Sequence, residues 1–263
     1  MKGAIVRGYW KIRHGLDGAI EATLRSMGIA KFGEHFYCDS LGPDAIVLDL
    51  GANKGEFSRE MASRHGCKPI LVEPNADLLE GVDIPGVLKI NAVIAASDQP
   101  MTFYLSENPE ASSLDKTLAQ SFGMIGERIV NAMSLETLMN KHNLENIDLL
   151  KVDIEGGEID MFNTTSAAYL TRCKQVTVEF HDYINEAQRK PAKNIVQNVS
   201  RLGFKVFKFS TLSYGRVLMI NKGYFKFAPV RLAKFKVLQA IAFTMDYIYF
   251  RILVKSKTLL SAK

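Results

Sequence analysis

Short apolar runs separated by amphipathic segments dominate the middle of the chain. Five runs read as buried strands: Ile46–Leu50, Lys68–Val72, Val87–Ala95, Leu149–Ile154 and Gln175–Phe180. Two further runs, 204–210 and 216–220, alternate around Ser213-Tyr214-Gly215, which predicts an antiparallel pair. Helical patterns follow several of the strands. We therefore expect an α/β fold with a seven-stranded, mostly parallel sheet, helices on both faces and an antiparallel last strand pair.

The two ends of the chain have a different pattern. Residues 1–31 place apolar side chains at intervals of three or four, which predicts a helix in spite of Gly3, Gly8, Gly15 and Gly18. Residues 237–250 are nearly apolar all round and are flanked by Lys and Arg. The predicted organisation is a helical cap at 1–40, a central domain at 41–222 and a basic, apolar helical tail at 223–263.

The most informative stretch runs from Ile46 to Phe57, I-V-L-D-L-G-A-N-K-G-E-F. It predicts a buried strand that ends in a glycine-rich turn and leads into a helix, an arrangement with which α/β proteins bind nucleotides. Gly51 can adopt a positive φ and lets a ligand approach the backbone, while Gly55 lets the helix begin close to the strand. Free N–H groups at the start of that helix favour an anionic group of the ligand.

The spacing of this turn narrows the choice of ligand. A turn that binds a dinucleotide has the pattern G-x-G-x-x-G, but here Asn53 occupies the position of the middle glycine. A loop that binds a triphosphate ends in Gly-Lys followed by Ser or Thr, but here Lys54 comes before Gly55. Asp49 would repel a phosphate but suits a ligand that carries a cation. S-adenosylmethionine has a sulfonium and an ammonium, and its only anion is a carboxylate. It therefore fits this turn better than either nucleotide.

Two stretches carry a resemblance to a known family. D-L-G-A-N-K-G at 49–55 resembles motif I of class I S-adenosylmethionine-dependent methyltransferases, in the D-x-G-A-N-x-G form of the FkbM family. D-L-L-K-V-D-I-E-G-G-E at 148–158 is similar to the family pattern K-x-D-x-E-G-x-E. Including V-E-F-H, which ends at His181, the resemblance covers about residues 40–220. It implies a Rossmann-like fold, a methyltransferase domain at 41–222 and S-adenosylmethionine as the cofactor.

Acidic residues are expected to meet at one edge of the sheet. Glu73 lies 22 residues after Gly51 and follows the second strand, where an acid commonly holds the two hydroxyls of a ribose. Asp153 lies near the carboxyl end of its own strand. Because ligands of an open α/β sheet bind outside the carboxyl ends of the strands, Asp49, Glu73 and Asp153 should converge on one crevice.

Other polar residues have two readings. Asn91 has two interpretations: it resembles a residue on the adenine side of the family's cofactor site, but it could equally cap the end of a strand. Ser112 and Ser113 also have two: they line an acceptor pocket, or they only form a turn. The predicted cofactor-binding residues are Asp49, Gly51, Asn53, Gly55, Glu73, Asn91 and Asp153.

Methyl transfer to a hydroxyl requires alignment of the acceptor and a group that removes its proton. The candidates for this base are Asp153, Glu155 and His181. Lys151 either screens the repulsion between these carboxylates or faces solvent at a strand edge. The predicted catalytic residues are Asp153, Glu155, His181 and Lys151. Asp153, Glu155, Glu158 and His181 also offer metal ligands, but no ligand spacing requires a metal and we expect none.

Composition and charge restrict the partners and the compartment. Residues 222–263 carry nine Lys and Arg and one acid, while the preceding 221 residues carry 24 basic and 27 acidic residues, which argues against nucleic acid as a partner. Three cysteines without disulfide or zinc spacing indicate a reducing compartment. The N-terminus lacks the apolar run of a secretory signal. We expect a cytoplasmic protein.

The tail allows a peripheral contact. As a helix, residues 237–250 would be about 21 Å long, too short for a bilayer core of about 30 Å. The sequence leaves three arrangements of the tail open: it packs on the domain, it mediates self-association, or it lies on the anionic inner face of a membrane.

These observations give one main hypothesis and two alternatives. The main hypothesis is a methyltransferase that acts on oxygen of a sugar, glycan or related secondary metabolite, an acceptor class implied by the family resemblance alone. An NAD-dependent oxidoreductase is disfavoured by the missing middle glycine of the turn. A non-catalytic scaffold of a membrane-bound glycan-assembly complex is disfavoured because the predicted site residues are intact.

Overall fold

The computed structural model describes residues 2–107 and 112–258; the predicted loop positions 108–111, Met1 and the last five tail positions, 259–263, lie outside the described residues. The strands are β1 (Ile29–Phe32), β2 (His35–Cys38), β3 (Val47–Leu50), β4 (Ile70–Val72), β5 (Leu88–Ile90), β6 (Val93–Ile94), β7 (Met101–Ser106), β8 (Met124–Val130), β9 (Ala132–Met133), β10 (Leu149–Val152), β11 (Gln175–Val178), β12 (Phe204–Lys208) and β13 (Val217–Asn221). The helices are α1 (Lys2–Ser26), α2 (Glu56–His65), α3 (Ala76–Glu80), α4 (Lys116–Ser121), α5 (Leu135–Lys141), α6 (Glu158–Thr164), α7 (Ala167–Leu170), α8 (Arg189–Arg201) and α9 (Pro229–Thr258).

Seven strands form the main sheet, in the order β12-β13-β11-β10-β3-β4-β5. The strands from β11 to β5 are parallel, and β13 is antiparallel to both β11 and β12. The predicted sheet, including its antiparallel last pair, is confirmed. The order of the strands reverses between β3 and β10, and ligand crevices of open α/β sheets lie at such a point.

One face of the sheet packs into the main apolar core. Leu48, Leu150 and Val176 lie side by side in register on β3, β10 and β11. Buried apolar residues of α5, α6 and α8 pack against them. Because these strands are buried on both faces, their sequences are nearly continuous apolar runs, which is why they could be predicted from the sequence.

The opposite face carries a polar row. Asp49, Lys151 and Thr177 lie side by side on β3, β10 and β11, and all three are buried. His35 of β2 lies over this row, with Nδ1 3.3 Å from the Thr177 hydroxyl. Because β2 covers this polar row, every buried polar group in the row requires a hydrogen-bond partner. The contacts of these groups are part of the site described below.

Strands β1 and β2 were not predicted, because residues 29–38 were assigned to the helical cap. They form a two-stranded sheet. The Gln175 side chain accepts from Cys38 N at 2.6 Å and donates to Cys38 O at 3.2 Å, which joins β2 to β11. The run H-F-Y-C at 35–38 contains the aromatic residues that strands favour, and it is too short to stand out by periodicity.

The prediction of one strand from Val87 to Ala95 is wrong. β5 pairs with β4 in the main sheet, whereas β6 pairs with β9 in a separate two-stranded sheet. Between them, the Asn91 amide donates to the carbonyl oxygens of Glu73 (3.0 Å) and Pro74 (2.9 Å). These bonds fix the point where the chain leaves the main sheet. The unpredicted strand β8 pairs with β7.

Helices α1 and α9 form a compact unit of their own, and residues 31–225 form the other. Tyr9 Oη and Arg13 Nε of α1 donate to Asp246 Oδ1 of α9 at 2.6 and 2.8 Å, and the Tyr9 ring stacks on Tyr249. Both predicted terminal helices are confirmed, but the division into cap, domain and tail stays a prediction. Within residues 2–107 and 112–258, no helix has the length and apolar character to cross a membrane.

Candidate active site

The carboxyl ends of four main-sheet strands meet at a cavity of about 400 Å³. The first residue after each strand donates its N–H to the last residue of a neighbouring strand. Because each of these N–H groups is bonded to a neighbouring strand, the four loops leave the sheet side by side. The donor–acceptor pairs are Gly51–Val72, Glu73–Ile90, Asp153–Leu50 and Glu179–Val152, at 2.9 to 3.2 Å.

Gly51 is the tightest point of this arrangement. Its φ is +75°, and a Cβ at this position would lie 1.7 Å from the carbonyl oxygen of Asp153. Neither atom can move without moving its strand. Gly51 is therefore required by the close approach of the turn after β3 to the turn after β10.

Replacement of Gly51 by Ala is expected to destabilise the protein by about 3 kcal/mol or more, because backbone overlap adds to the cost of a left-handed alanine. The measurement is urea unfolding. Gly28→Ala is the matched control, because Gly28 has a φ of +74° but no heavy atom within 4 Å of its Cβ position. That control should lose only about 1–2 kcal/mol. Equal losses in the two variants would contradict the close-approach argument.

Glu73 and Asn53 form one wall of the cavity. Glu73 Oε2 accepts from Asn53 N and Oε1 accepts from Asn75 N, both at 2.9 Å, so each oxygen keeps a lone pair for a further donor. Burial raises the pKa of the Glu73 carboxyl, although these N–H groups oppose the rise. Asn53 adopts a φ of +49°, and its buried Oδ1 has no hydrogen-bond partner in the part of the chain that the structure describes.

Asp49 lies beneath the cavity, which corrects the predicted convergence of three carboxylates. It is fully buried; Oδ2 accepts from Ser58 Oγ at 2.7 Å, and Oδ1 lies 3.1 Å from Lys151 Nζ. Lys151 Nζ also donates to Gly51 O at 2.6 Å. Asp49 thus holds the lysine that supports the glycine turn, while Glu73 and Asp153 line the cavity.

Lys151 lies between the carboxylates of Asp49 and Asp153 and screens their repulsion, which is the first of its two predicted roles. It does not face solvent, which was the second. Its Nζ lies 3.7 Å from Asp153 Oδ2. Burial acts to lower the pKa of Lys151, but Asp49 and Asp153 outweigh it and hold that pKa above its ordinary value. For Asp153, burial favours the neutral acid, yet Lys151 and His35 keep the pKa of this carboxyl well below its usual range.

The turn after β10 is strained at Glu155. Its φ is +51°, and Gly156 follows with a φ of +98°. Ser113 Oγ donates to the Glu155 carbonyl, and the buried Glu158 carboxylate accepts from the N–H groups of Ile154 and Gly156 at 3.1 to 3.2 Å. These bonds hold the Glu155 side chain at the cavity. A left-handed non-glycine residue kept in this way is typical of a functional site.

His181 connects the turn to the strand β11. Its Nδ1 lies 3.1 Å from Glu158 Oε1, and its Nε2 lies 3.1 Å from Glu155 Oε2. Burial opposes the charged imidazole, but Glu158, Glu155 and Asp153 raise the pKa of His181 to about 10. Burial raises the pKa of Glu155 to about 8; His181 counters this rise and the neighbouring acids add to it. His181, Glu155 and Asp153 all line the cavity.

Several cavity residues were missed by the sequence analysis. His35 Nε2 lies 3.5 Å from Asp153 Oδ2, and Glu179 accepts from Tyr183 Oη at 3.1 Å. His35 was missed because β2 was missed. Glu179 offered a signal, since it is the first residue after a strand that ends at the same edge as Asp153.

The other predicted site residues have structural contacts. The left-handed Gly55 begins α2 where a Cβ would lie 2.8 Å from Val82 Cγ1, so it permits the close approach expected of it. Asn91 is the strand-end cap already described. Of the two loop serines, Ser112 lines the cavity and Ser113 supports Glu155.

A parallel sheet with a reversed last pair, a glycine-rich turn after β3 and an acid after β4 define the methyltransferase class of Rossmann-like folds. The model of the FkbM methyltransferase domain matches residues 49–206, and the chain belongs to this family. The family and the fold imply S-adenosylmethionine binding.

Two proteins illustrate what the chain is similar to. AMB antimetabolite synthetase AmbE of Pseudomonas aeruginosa is 25% identical over an aligned length of 206, and the match covers 63% of this chain and 10% of that protein. The chain thus spans about a tenth of that relative's length. The structure of precorrin-6y C5,15-methyltransferase from Geobacter metallireducens is 13% identical, covers 76% of this chain and 85% of that one, and has a TM-score of 0.34.

Proposed function

We propose that this protein transfers a methyl group from S-adenosylmethionine to a hydroxyl of a sugar, glycan or related small molecule. One observation carries the proposal. Glu73 and Asn53 line one part of the same cavity whose other part is lined by Asp153, Glu155 and His181. A single cavity therefore offers acceptors for a ribose and a cationic group, and acid–base groups for a hydroxyl.

The residues of the first part fit the cofactor. The Glu73 carboxylate has lone pairs for two hydroxyl donors, which suits a ribose diol. The unpartnered Asn53 Oδ1 suits an ammonium donor, because a buried acceptor without a partner is costly. Lys151, Asp49 and the Gly51 turn keep these groups in place. When bound, the cofactor supplies the activated methyl group.

The second part acts on the acceptor. Glu155 takes up the proton of a hydroxyl bound in the cavity, because burial raises the pKa of its carboxyl to about 8 and makes it a stronger base than Asp153. His181, whose Nε2 lies 3.1 Å from Glu155 Oε2, holds this carboxyl in place. His35, Glu179 and Tyr183 line the cavity near Asp153 and supply further hydrogen-bond partners for a polyhydroxylated acceptor. The family supports a sugar or glycan as the acceptor class.

Binding separates this proposal from its alternatives. Isothermal titration is expected to show one site for S-adenosylhomocysteine and no binding of NAD. An oxidoreductase would reverse that result. A scaffold without activity would bind S-adenosylhomocysteine and transfer no labelled methyl group across a panel of sugars and glycans.

We also infer that α9 binds an anionic membrane surface. Val230, Val237, Ile241 and Ile248 recur at intervals of 7, 4 and 7 residues along α9, so they share one helix face, and all four are exposed. Residues 222–263 carry nine basic residues and one acid. An exposed apolar stripe on a strongly basic segment suits the headgroup region of anionic lipids better than a neutral partner.

The full chain is expected to float with vesicles that contain phosphatidylserine and not with neutral phosphatidylcholine vesicles. Replacement of Val237, Ile241 and Ile248 by Ser should reduce the floated fraction at least about fivefold, because it removes the inserted apolar face. Ile125→Ser with Ile129→Ser is the matched control, since both residues are exposed on β8. Unchanged flotation of the α9 variant would remove the membrane proposal.

A further inference from the structure

Three ligand-bearing side chains of the cavity have the spacing of a metal site. His181 Nε2 lies 3.1 Å from Glu155 Oε2 and 4.0 Å from Asp153 Oδ1, and one ligand atom from each residue lies within 4.8 Å of the others. Two ligands at a right angle, each about 2.1 Å from a divalent ion, are about 3 Å apart. The His181–Glu155 pair has this spacing, whereas the 4.0 Å of the His181–Asp153 pair corresponds to a wider angle of about 145° at the ion. Small side-chain rotations would therefore bring all three ligands to a single ion.

The histidine is also oriented for this role. Its Nδ1 faces Glu158 Oε1 at 3.1 Å, and Glu158 is fully buried. Glu158 is fixed in turn by the N–H groups of Ile154 and Gly156. Metal-binding histidines commonly place their second ring nitrogen on such a carboxylate, which sets the tautomer and directs the free nitrogen at the ion. Glu158, one of the four side chains considered above as metal ligands, thus positions His181.

The charge of the site leaves room for a cation. The carboxyl groups of Asp153, Glu155 and Glu158 all lie within 4.0 Å of the one imidazole of His181, so acidic groups outnumber basic groups around this histidine. A divalent ion would neutralise this excess where one imidazolium cannot.

A second group of ligands, His35, Asp153 and Glu179, lies on the other side of Asp153. The Oδ2 atom that faces His35 also lies 3.7 Å from Lys151 Nζ. An ion bound there would meet the ammonium of that buried lysine. The Oδ1 side, which faces His181, is therefore the favourable one.

We propose that Asp153, Glu155 and His181 bind one divalent cation of the Mn²⁺ type. Two carboxylates and one imidazole suit Mn²⁺ better than Mg²⁺, which prefers oxygen ligands and water, or Cu⁺, which prefers sulfur. The remaining positions of the ion face the cavity, where an oxygen of the acceptor binds. This role of the ion rests on the proposed function, whereas the binding of the ion does not.

The test is titration of the full chain with MnCl₂, free of cofactor, followed by electron paramagnetic resonance and by calorimetry. We expect one Mn²⁺ per chain and a rise in the thermal midpoint of unfolding on binding. Glu155→Gln and His181→Gln should each weaken binding at least about tenfold, and Glu158→Gln by about 10- to 100-fold. Glu186→Gln, which is exposed and outside the cavity, is the matched control and should bind as the wild type does. His35→Gln tests the other side of Asp153 and should retain saturable binding.

Circular dichroism of each variant establishes that it is folded, and the exposed-site variant Glu186→Gln gives the baseline. Absence of saturable Mn²⁺ binding by the wild type would overturn the proposal. Binding that survives in both Glu155→Gln and His181→Gln, or that His35→Gln removes, would overturn it as well. Titration with S-adenosylhomocysteine in EDTA is a separate readout, so failure of the metal site is distinguishable from failure of the proposed methyltransferase.

Discussion

Glu73→Gln is expected to bind S-adenosylhomocysteine about 10- to 100-fold more weakly than the wild type. Hydrogen bonds to a charged group contribute about 1.5–3 kcal/mol each, and the substitution removes the charge and one of two acceptor oxygens. The new NH₂ group would also face the N–H of Asn53 or Asn75, both of which now donate to the carboxylate. The glycine-rich turn would therefore lose a support as well as a ligand contact.

Calorimetric titration measures the affinity, and thermal unfolding separates lost binding from lost structure. Glu80→Gln is the control. Glu80 is exposed at the end of α3, and its replacement changes the net charge by the same amount as Glu73→Gln does. We expect the control to bind as the wild type does. If Glu73→Gln retained wild-type affinity, Glu73 would be only a turn-supporting residue and the assigned ribose site would be wrong.

The sheet could be predicted from the sequence because its strands are buried on both faces and end at recognisable turns. Leu150, for example, lies between Leu48 and Val176, and such burial requires apolar residues at successive positions. The small two-stranded sheets do not have this signal. β8 is largely exposed on one face, and β6 has only two residues.

The site could be predicted only in part. A motif shows which residues are neighbours along the chain, but it does not show how deeply each side chain is buried. Asp49 and Lys151 are in register on adjacent strands, so they pair below the cavity instead of lining it. That pairing depends on which strands are neighbours, which D-L-G-A-N-K-G alone does not contain. His35 arrives from a hairpin that the sequence did not reveal.

Strain at Glu155 gives a test in which stability and activity should change in opposite directions. A left-handed conformation costs a residue with a Cβ about 1–2 kcal/mol, and a glycine almost nothing. Glu155 keeps this conformation because Ser113 and Glu158 bind the backbone around it. If the conformation serves to hold the carboxylate at the cavity, then removing the side chain should relax the turn and abolish the chemistry together.

Glu155→Gly is accordingly expected to be about 1 kcal/mol more stable than Glu155→Gln, a difference of about 2–4 °C in the thermal midpoint. The glutamine variant keeps the strained backbone without the charge, so the comparison isolates the strain from the loss of the carboxylate. Both variants should transfer methyl groups about 10²- to 10⁴-fold more slowly, because the acceptor proton loses its receiving group. Asn143→Gly, at a φ of +53° outside the cavity, is the control and should gain less, since asparagine tolerates this conformation. A glycine variant that is no more stable than the glutamine variant would show that the turn is not strained, and full turnover in either would remove Glu155 from the reaction.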